Sequence, residues 1–228
     1  MKTWLLVAAE RREFDGIRKR LGRTEERDGF GARFACEGIR NGERWVMVAN
    51  GPGRQLAGAA LSDELIGDLR KEELMAIIST GYCGALDPEL RVTDIVVGED
   101  ARVRSERRFT KGAVATRDRV AITAAEKRAL REETGAIAVD MEAAAVQDRA
   151  KELGVPYACV RVVSDTAEEN LPLDFNRYRR PDGRFSRTAI ALVAMARPFS
   201  VMPALLEFDR QCKLASLALG DFFADCGF

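Results

Sequence analysis

The sequence contains no histidine. That absence excludes Ser-His and Cys-His catalysis and counts against a catalytic zinc, so any acid–base chemistry falls to carboxylates, with Lys, Tyr or Cys behind them. Net charge is absent too. Thirty-six basic and 36 acidic residues cancel, which leaves no electrostatic footprint for nucleic acid or an anionic membrane. No apolar run approaches the roughly 20 residues that span a bilayer. Met1 to Ala9 meets charged residues too soon for an apolar core and cleavage site, so no secretory leader is expected. Cysteine is sparse and scattered: Cys36, Cys83, Cys159, Cys212 and Cys226. Their odd number and wide spacing suit neither a disulfide framework nor a metal cluster, and favour a reducing cytoplasm. There is no internal repeat and no low-complexity linker.

What is present is core. The chain has 228 residues, 46% hydrophobic, enough for one compact domain. Apolar runs alternate with helical periodicity, which predicts a single α/β domain with three layers and a central mixed, mostly parallel sheet. The organising stretch is Ala136 to Val146, AIAVDMEAAAV. A short apolar run turns polar at Asp140, Met141 and Glu142 and then becomes strong helix formers, the pattern of a strand feeding a helix. Tyr157 to Asp165, YACVRVVSD, reads as a strand buried on both faces, interrupted by Arg161 and closed by Ser164 and Asp165. The predicted helix between them, Glu142 to Leu153, stops at Gly154 and Pro156. A βαβ unit with parallel neighbouring strands would bring Glu142 and Asp165 to one sheet edge, where α/β proteins bind ligands. An acidic first helical turn is nevertheless common as a purely structural feature.

The remaining elements follow in order. Thr3 to Ala9 is a buried strand, with a helix beginning around Glu13. Arg33 to Cys36 and Arg44 to Ala49 form a hairpin turned at Asn41-Gly42. Asn50-Gly51-Pro52-Gly53 precedes a helix stripe of Ala57, Leu61, Leu65 and Leu69. Such a glycine turn offers backbone N–H groups to an anion or hydroxyl, and equally serves as a plain tight turn. Leu74 to Ser79 is a strand that leaves through a loop, Thr80 to Ala85, whose small residues would let a ligand approach the backbone. Val92 to Val97 and Ala113 to Ala115 are extended, Arg102 to Lys111 is a basic exposed loop, and Ile122 to Glu133 is helical. Glu168 to Arg187 is predicted as a long loop near the mouth of the site. Helices follow, broken at Pro198 and Pro203, and the last carries a stripe of Leu205, Phe208, Cys212, Ala215 and Leu219.

VDMEAAAV at Val139 to Val146, VRVVSDTA at Val160 to Ala167 and STGYCGAL at Ser79 to Leu86 resemble signature segments of the purine nucleoside phosphorylase and nucleosidase superfamily. The likeness is greatest to methylthioadenosine/S-adenosylhomocysteine nucleosidases and to hopanoid-associated (adenosylhopane) nucleosidases, and it runs along nearly the whole chain. The resemblance implies roles. Asp165 would protonate or hydrogen-bond N7 of the leaving purine, supported by Ser164. Glu142 would bind the ribose hydroxyls above Met141. Arg161 would organise the nucleophile end. Glu13 matches the carboxylate that activates water, with Glu10 as its alternative. Gly81, Tyr82, Cys83, Gly84 and Val120 would line the substrate. Val120 follows Thr116-Arg117-Asp118-Arg119, where the family often stacks an aromatic ring on the base, and offers no ring. No metal or cofactor is implied, and a homodimer is.

Breaking an N-glycosidic bond builds positive charge on the ribose and negative charge on the base, so carboxylates beside the sugar and a proton at the base both assist. The leading expectation is hydrolysis of a 5′-modified adenosine. A phosphorylase of the same fold stays open because of Arg11, Arg12 and Arg54, although a glutamate occupies the region of the phosphate loop. A non-catalytic nucleoside-binding domain would be expected to lose one of Glu13, Glu142 and Asp165.

Overall fold

The computed structural model describes residues 1–28 and 31–227. In chain order the strands are β1 (Lys2–Ala8), β2 (Thr24–Glu26), β3 (Phe34–Arg40), β4 (Glu43–Ala49), β5 (Glu73–Ala85), β6 (Ile95–Val97), β7 (Thr110–Lys111), β8 (Val114–Thr116), β9 (Ala138–Asp140) and β10 (Tyr157–Asp165). The helices are α1 (Asp15–Leu21), α2 (Arg54–Ala59), α3 (Asp63–Leu69), α4 (Ala124–Thr134), α5 (Ala143–Leu153), α6 (Arg187–Ala196) and α7 (Val201–Phe223). The sheet runs β2-β3-β4-β1-β5-β10-β6-β7, with β8 and β9 attached beside the end of β5. Its centre, β4-β1-β5-β10, is parallel. The hairpins and edge pairings make it mixed, as expected.

Strand alternation builds the layers. Trp4, Leu6 and Ala8 of β1 point to one face and pack with Phe14, Ile17, Ala215, Leu219 and Phe222 under α1 and α7. Leu5 and Val7 point to the other and meet Ala57, Leu61, Leu65, Leu69 and Val146 under α2, α3 and α5. A side chain such as Leu5 or Leu65, fully buried here, contributes about 1.5–3 kcal/mol by leaving water. These two apolar layers fix the sheet, and its carboxyl edge carries the site.

Several details differ from the sequence reading. β9 is antiparallel to β5, through Gly84–Val139 and Ala85–Ala138, whereas β10 is parallel to β5. The two carboxylate-ending strands are therefore not parallel neighbours. β1 leaves β5 at Ser79, which frees the later residues of β5 for β9. For the same reason Thr80 to Ala85 is not a loop: β10 and then β9 carry the ladder to the end of β5. The single helix expected over Ala57 to Leu69 is split, because Ser62 caps α3 by accepting from the Leu65 N–H at 3.2 Å. The strand expected from Val92 begins only at Ile95. The basic Arg102 to Lys111 stretch is pinned by an Arg104–Gly227 bridge and ends in β7. Pro203 does not break a helix: it sits in the first turn of α7, where N–H groups have no partner within the helix.

Candidate active site

β1 delivers the chain to a 3₁₀ turn, Arg11–Phe14, and this turn buries Glu13. Both carboxyl oxygens accept backbone N–H groups, Oε1 from Glu10 at 2.9 Å and Oε2 from Tyr82 at 3.1 Å. Ser216 of α7 holds the turn from behind, donating to the Arg12 carbonyl at 3.1 Å and accepting from Gly16 N–H at 3.1 Å. Gly81 has φ of 121°, and a Cβ there would collide with the Glu13 carboxylate. The bare backbone at this position lets the carboxylate approach β5 closely. Burial pushes the Glu13 carboxyl up to about 8; Glu142 and Glu10 add to the rise, and Arg161 and the Tyr82 N–H oppose it. Glu10, the alternative, also lines the cavity, where it pairs with Arg12 at 3.1 Å and Arg187 at 2.9 Å, two residues of the same lining.

The polar elbow after β9 is built around Asp140, whose structural role the sequence reading missed. Its Oδ2 accepts from the Ala143 N–H at 2.7 Å and the Glu142 N–H at 3.3 Å, and its Oδ1 accepts from Thr116 Oγ1 at 2.7 Å. Asp140 therefore caps α5, and Glu142, at the N-cap position, makes no cap bond. The Glu142 side chain accepts instead from Gly53 N–H at 2.8 Å. The glycine turn does present an N–H to an anion, and that anion is Glu142 itself. Burial pushes this carboxyl up to about 7, helped by Asp140 and opposed by Arg161 and the Gly53 N–H.

Arg161 is fully buried in β10 and does not reach the cavity. It pairs with Asp140, lies 3.7 Å from Glu142, and donates to Ser79 Oγ at 2.6 Å and the Thr80 carbonyl at 2.7 Å. It braces the Asp140–Glu142 elbow first, with the Glu13 carboxyl within its electrostatic reach. The end of β10 places Asp165, whose Oδ1 accepts from Ser164 Oγ at 2.7 Å. Its Oδ2 lies 2.6 Å from the Lys127 ammonium of α4. Lys127 was not anticipated. The available signal was a lysine three residues before Leu130, with which it shares the buried face of α4.

These elements enclose one cavity of about 480 Å³. Glu13, Glu142 and Asp165 all line it, as do Met141 and Ser164. Tyr82, Cys83, Gly84 and Val120 complete the expected set; Gly81 and Arg161 do not reach it. The other end is apolar, walled by Leu171, Phe175, Phe185, Ile190, Leu205 and Phe208. Leu205, Phe208 and Cys212 of the α7 stripe thus face the cavity. Phe175 lies 6.2 Å from Phe185 and 5.9 Å from Phe208, ring centre to ring centre. Aromatic surface thus reaches the cavity from residues far along the chain. Asn176 clamps Val120, accepting from its N–H and donating to its carbonyl, both at 3.0 Å. The Glu168 to Arg187 segment does lie at the site, through Leu171, Phe175 and Phe185.

Structural similarity to known proteins extends over nearly the whole chain. The futalosine hydrolase of Helicobacter pylori strain 26695, solved as a mutant, superposes with a TM-score of 0.69 at 16% identity, covering 98% of this chain and 97% of that one. The Helicobacter pylori 5′-methylthioadenosine/S-adenosylhomocysteine nucleosidase bound to butyl-thio-DADMe-Immucillin-A gives 0.70 at 16% identity, over 98% and 96%. The Neisseria meningitidis nucleosidase of the same name, with methylthio-immucillin-A, gives 0.68 at 20% identity, over 98% and 97%. At these identities the likeness establishes the fold. A sequence profile of the phosphorylase superfamily matches residues 3–108 and 99–194. Those segments take in most of the chain, β1 through α6, and the protein belongs to the phosphorylase superfamily.

Proposed function

We propose that the protein is a purine nucleosidase that hydrolyses the N-glycosidic bond of a 5′-modified adenosine, giving free adenine and a ribose derivative. The observation that carries this reading is the convergence of Glu13, Glu142 and Asp165 on one cavity from three separate strand ends. Glu13 takes a proton from the attacking water, and its raised carboxyl is matched to that task. Glu142 binds the ribose hydroxyls, with Met141 beneath the sugar, and its charge faces the developing oxocarbenium. Asp165 protonates N7 of the leaving base, oriented by Ser164. The apolar end suits an apolar 5′ substituent.

A phosphorylase would need cations around the nucleophile end. Arg11 pairs with Glu26 at 2.7 Å, Arg12 with Glu10 at 3.1 Å and Arg54 with Asp148 at 3.6 Å. A phosphate there would also meet the Glu13 carboxyl, which becomes a like charge as pH rises through about 8. Assaying adenine release from adenosine and 5′-alkylthioadenosines in phosphate-free buffer tests the reading. Release without phosphate is expected; no release until phosphate is added would refute it.

Assembly as a homodimer in the cytoplasm completes the proposal. Two-fold dimers are the commonest soluble assembly, and Leu192, Met195, Phe199 and Leu206 stand exposed on and between α6 and α7. Among the described residues no helix is long and apolar enough to cross a membrane. Light scattering over a wide concentration range checks the dimer, and a monomer throughout would count against it.

A further inference from the structure

Lysine is among the residue types least often fully buried, yet Lys127 is 0% exposed. Its Nζ lies 2.6 Å from Asp165 Oδ2, 2.6 Å from the Thr166 carbonyl and 3.0 Å from the Glu169 carbonyl. An ammonium has three N–H donors and no acceptor, and here each donor finds an oxygen. Two of the three are backbone carbonyls at the turn following β10, so the lysine is held by the main chain and aimed at the carboxyl. A buried cation so placed costs several kcal/mol in lost hydration unless its partner is charged and close. A leucine or methionine would fill this space between α4 and the turn without that cost. The Asp165 carboxyl, for its part, accepts from Ser164 on Oδ1 and faces Lys127 on Oδ2. Among the described residues Lys127 is its ion-pair partner.

We propose that Lys127 is a positioning residue that acts through Asp165: its buried ammonium supplies the proton that the carboxyl passes to the leaving purine. The proposal rests on the reading of Asp165 as the group that protonates the base. In this scheme the pair starts as ammonium and carboxylate. As the C1′–N9 bond breaks, its electron pair goes to the purine. One proton moves from Nζ to the carboxyl and one from the carboxyl to N7, leaving a neutral amine beside a carboxylate. Water forms the new C1′–O bond and gives its proton to Glu13. The pair has lost one proton and Glu13 has gained one, so exchange with solvent restores both. Lys127 itself does not line the cavity, which is why it acts only through Asp165.

The test compares two leaving groups. Purine departure needs a proton, whereas 4-nitrophenolate leaves a 4-nitrophenyl riboside without one. With Lys127→Met, kcat on the purine nucleoside is expected to fall on the order of 10²-fold, within the range for loss of a general acid. KM should change little, and kcat on the nitrophenyl riboside should fall less than about threefold. Equal losses on both substrates would mean a merely structural lysine and would overturn the proposal, as would normal purine turnover. Should Lys127→Met fail to fold by circular dichroism, Lys127→Gln keeps a donor for the carbonyls while removing the transferable proton. The same split is expected of it, and normal purine turnover in Lys127→Gln overturns the proposal. Asp165→Asn run on both substrates separates the two levels. If it cleaves the purine normally, the Asp165 assignment itself is wrong; if it is impaired while the Lys127 variants are not, only the inference about Lys127 fails.

Discussion

Glu13 must be ionised to accept a proton from water, yet burial holds its carboxyl up to about 8. The two demands set a sign. Below that value each unit of falling pH removes about nine-tenths of the remaining carboxylate, so the free enzyme loses its base. kcat/KM is expected to rise about tenfold per unit from pH 6 toward 8 and then to level. Glu142, up to about 7, steepens the lower part of the same limb. A profile measured with a purine nucleoside that stays flat between pH 6 and 8 would remove Glu13 from the role of base. The backbone N–H donors from Glu10 and Tyr82 fix the orientation of this carboxyl whichever state it is in.

Between elements, the crossing of α1 and α7 decides where Glu13 stands. Gly16 and Gly220 let the two backbones meet: a Cβ on Gly220 would collide with the Gly16 main chain, and one on Gly16 with the Ser216 carbonyl. Alanine is worth up to about 1 kcal/mol more than glycine inside a helix. Overpacking against rigid backbone costs about 1–3 kcal/mol, and the collision wins. Gly220→Ala is therefore expected to lower stability in urea by about 1–2 kcal/mol net and to reduce turnover by displacing the turn that Ser216 pins. A variant as stable as the parent would show that the helices can part without consequence. The clamp of Asn176 on Val120 works in the same way on the far side of the cavity, tying the segment after β10 to the loop after β8.

At the scale of the whole molecule, the missing histidine makes the stability curve unusually readable. Between pH 5.5 and 8.5 no imidazole titrates, so the buried carboxyls of Glu13 and Glu142 dominate. Both are raised from 4.5, to about 8 and about 7. Their contribution to stability is full below about 4.5 and is lost as pH rises through the folded values. The urea midpoint is expected to fall from pH 5.5 to 8.5, and a rising midpoint would contradict these environments.

Much of this architecture was legible in the sequence, because local pattern dictated it. β10 has the predicted bounds, the Asn41-Gly42 turn has both residues at positive φ, and Glu142 and Asp165 meet in one cavity. What was hidden depended on contacts distant in sequence. The antiparallel placement of β9, the Gly16–Gly220 crossing, the Gly53 N–H on Glu142, and Lys127 on Asp165 have no local signature. Arg161 was legible as a charge inside a buried strand, but only the fold shows that Asp140 neutralises it. The central claim is that water, activated in this cavity, replaces the purine. A single turnover of a purine nucleoside in ¹⁸O-labelled water tests it most directly. The account expects one ¹⁸O at C1′ of the released sugar, with or without phosphate present; an unlabelled ribose 1-phosphate, formed only when phosphate is added, would contradict it.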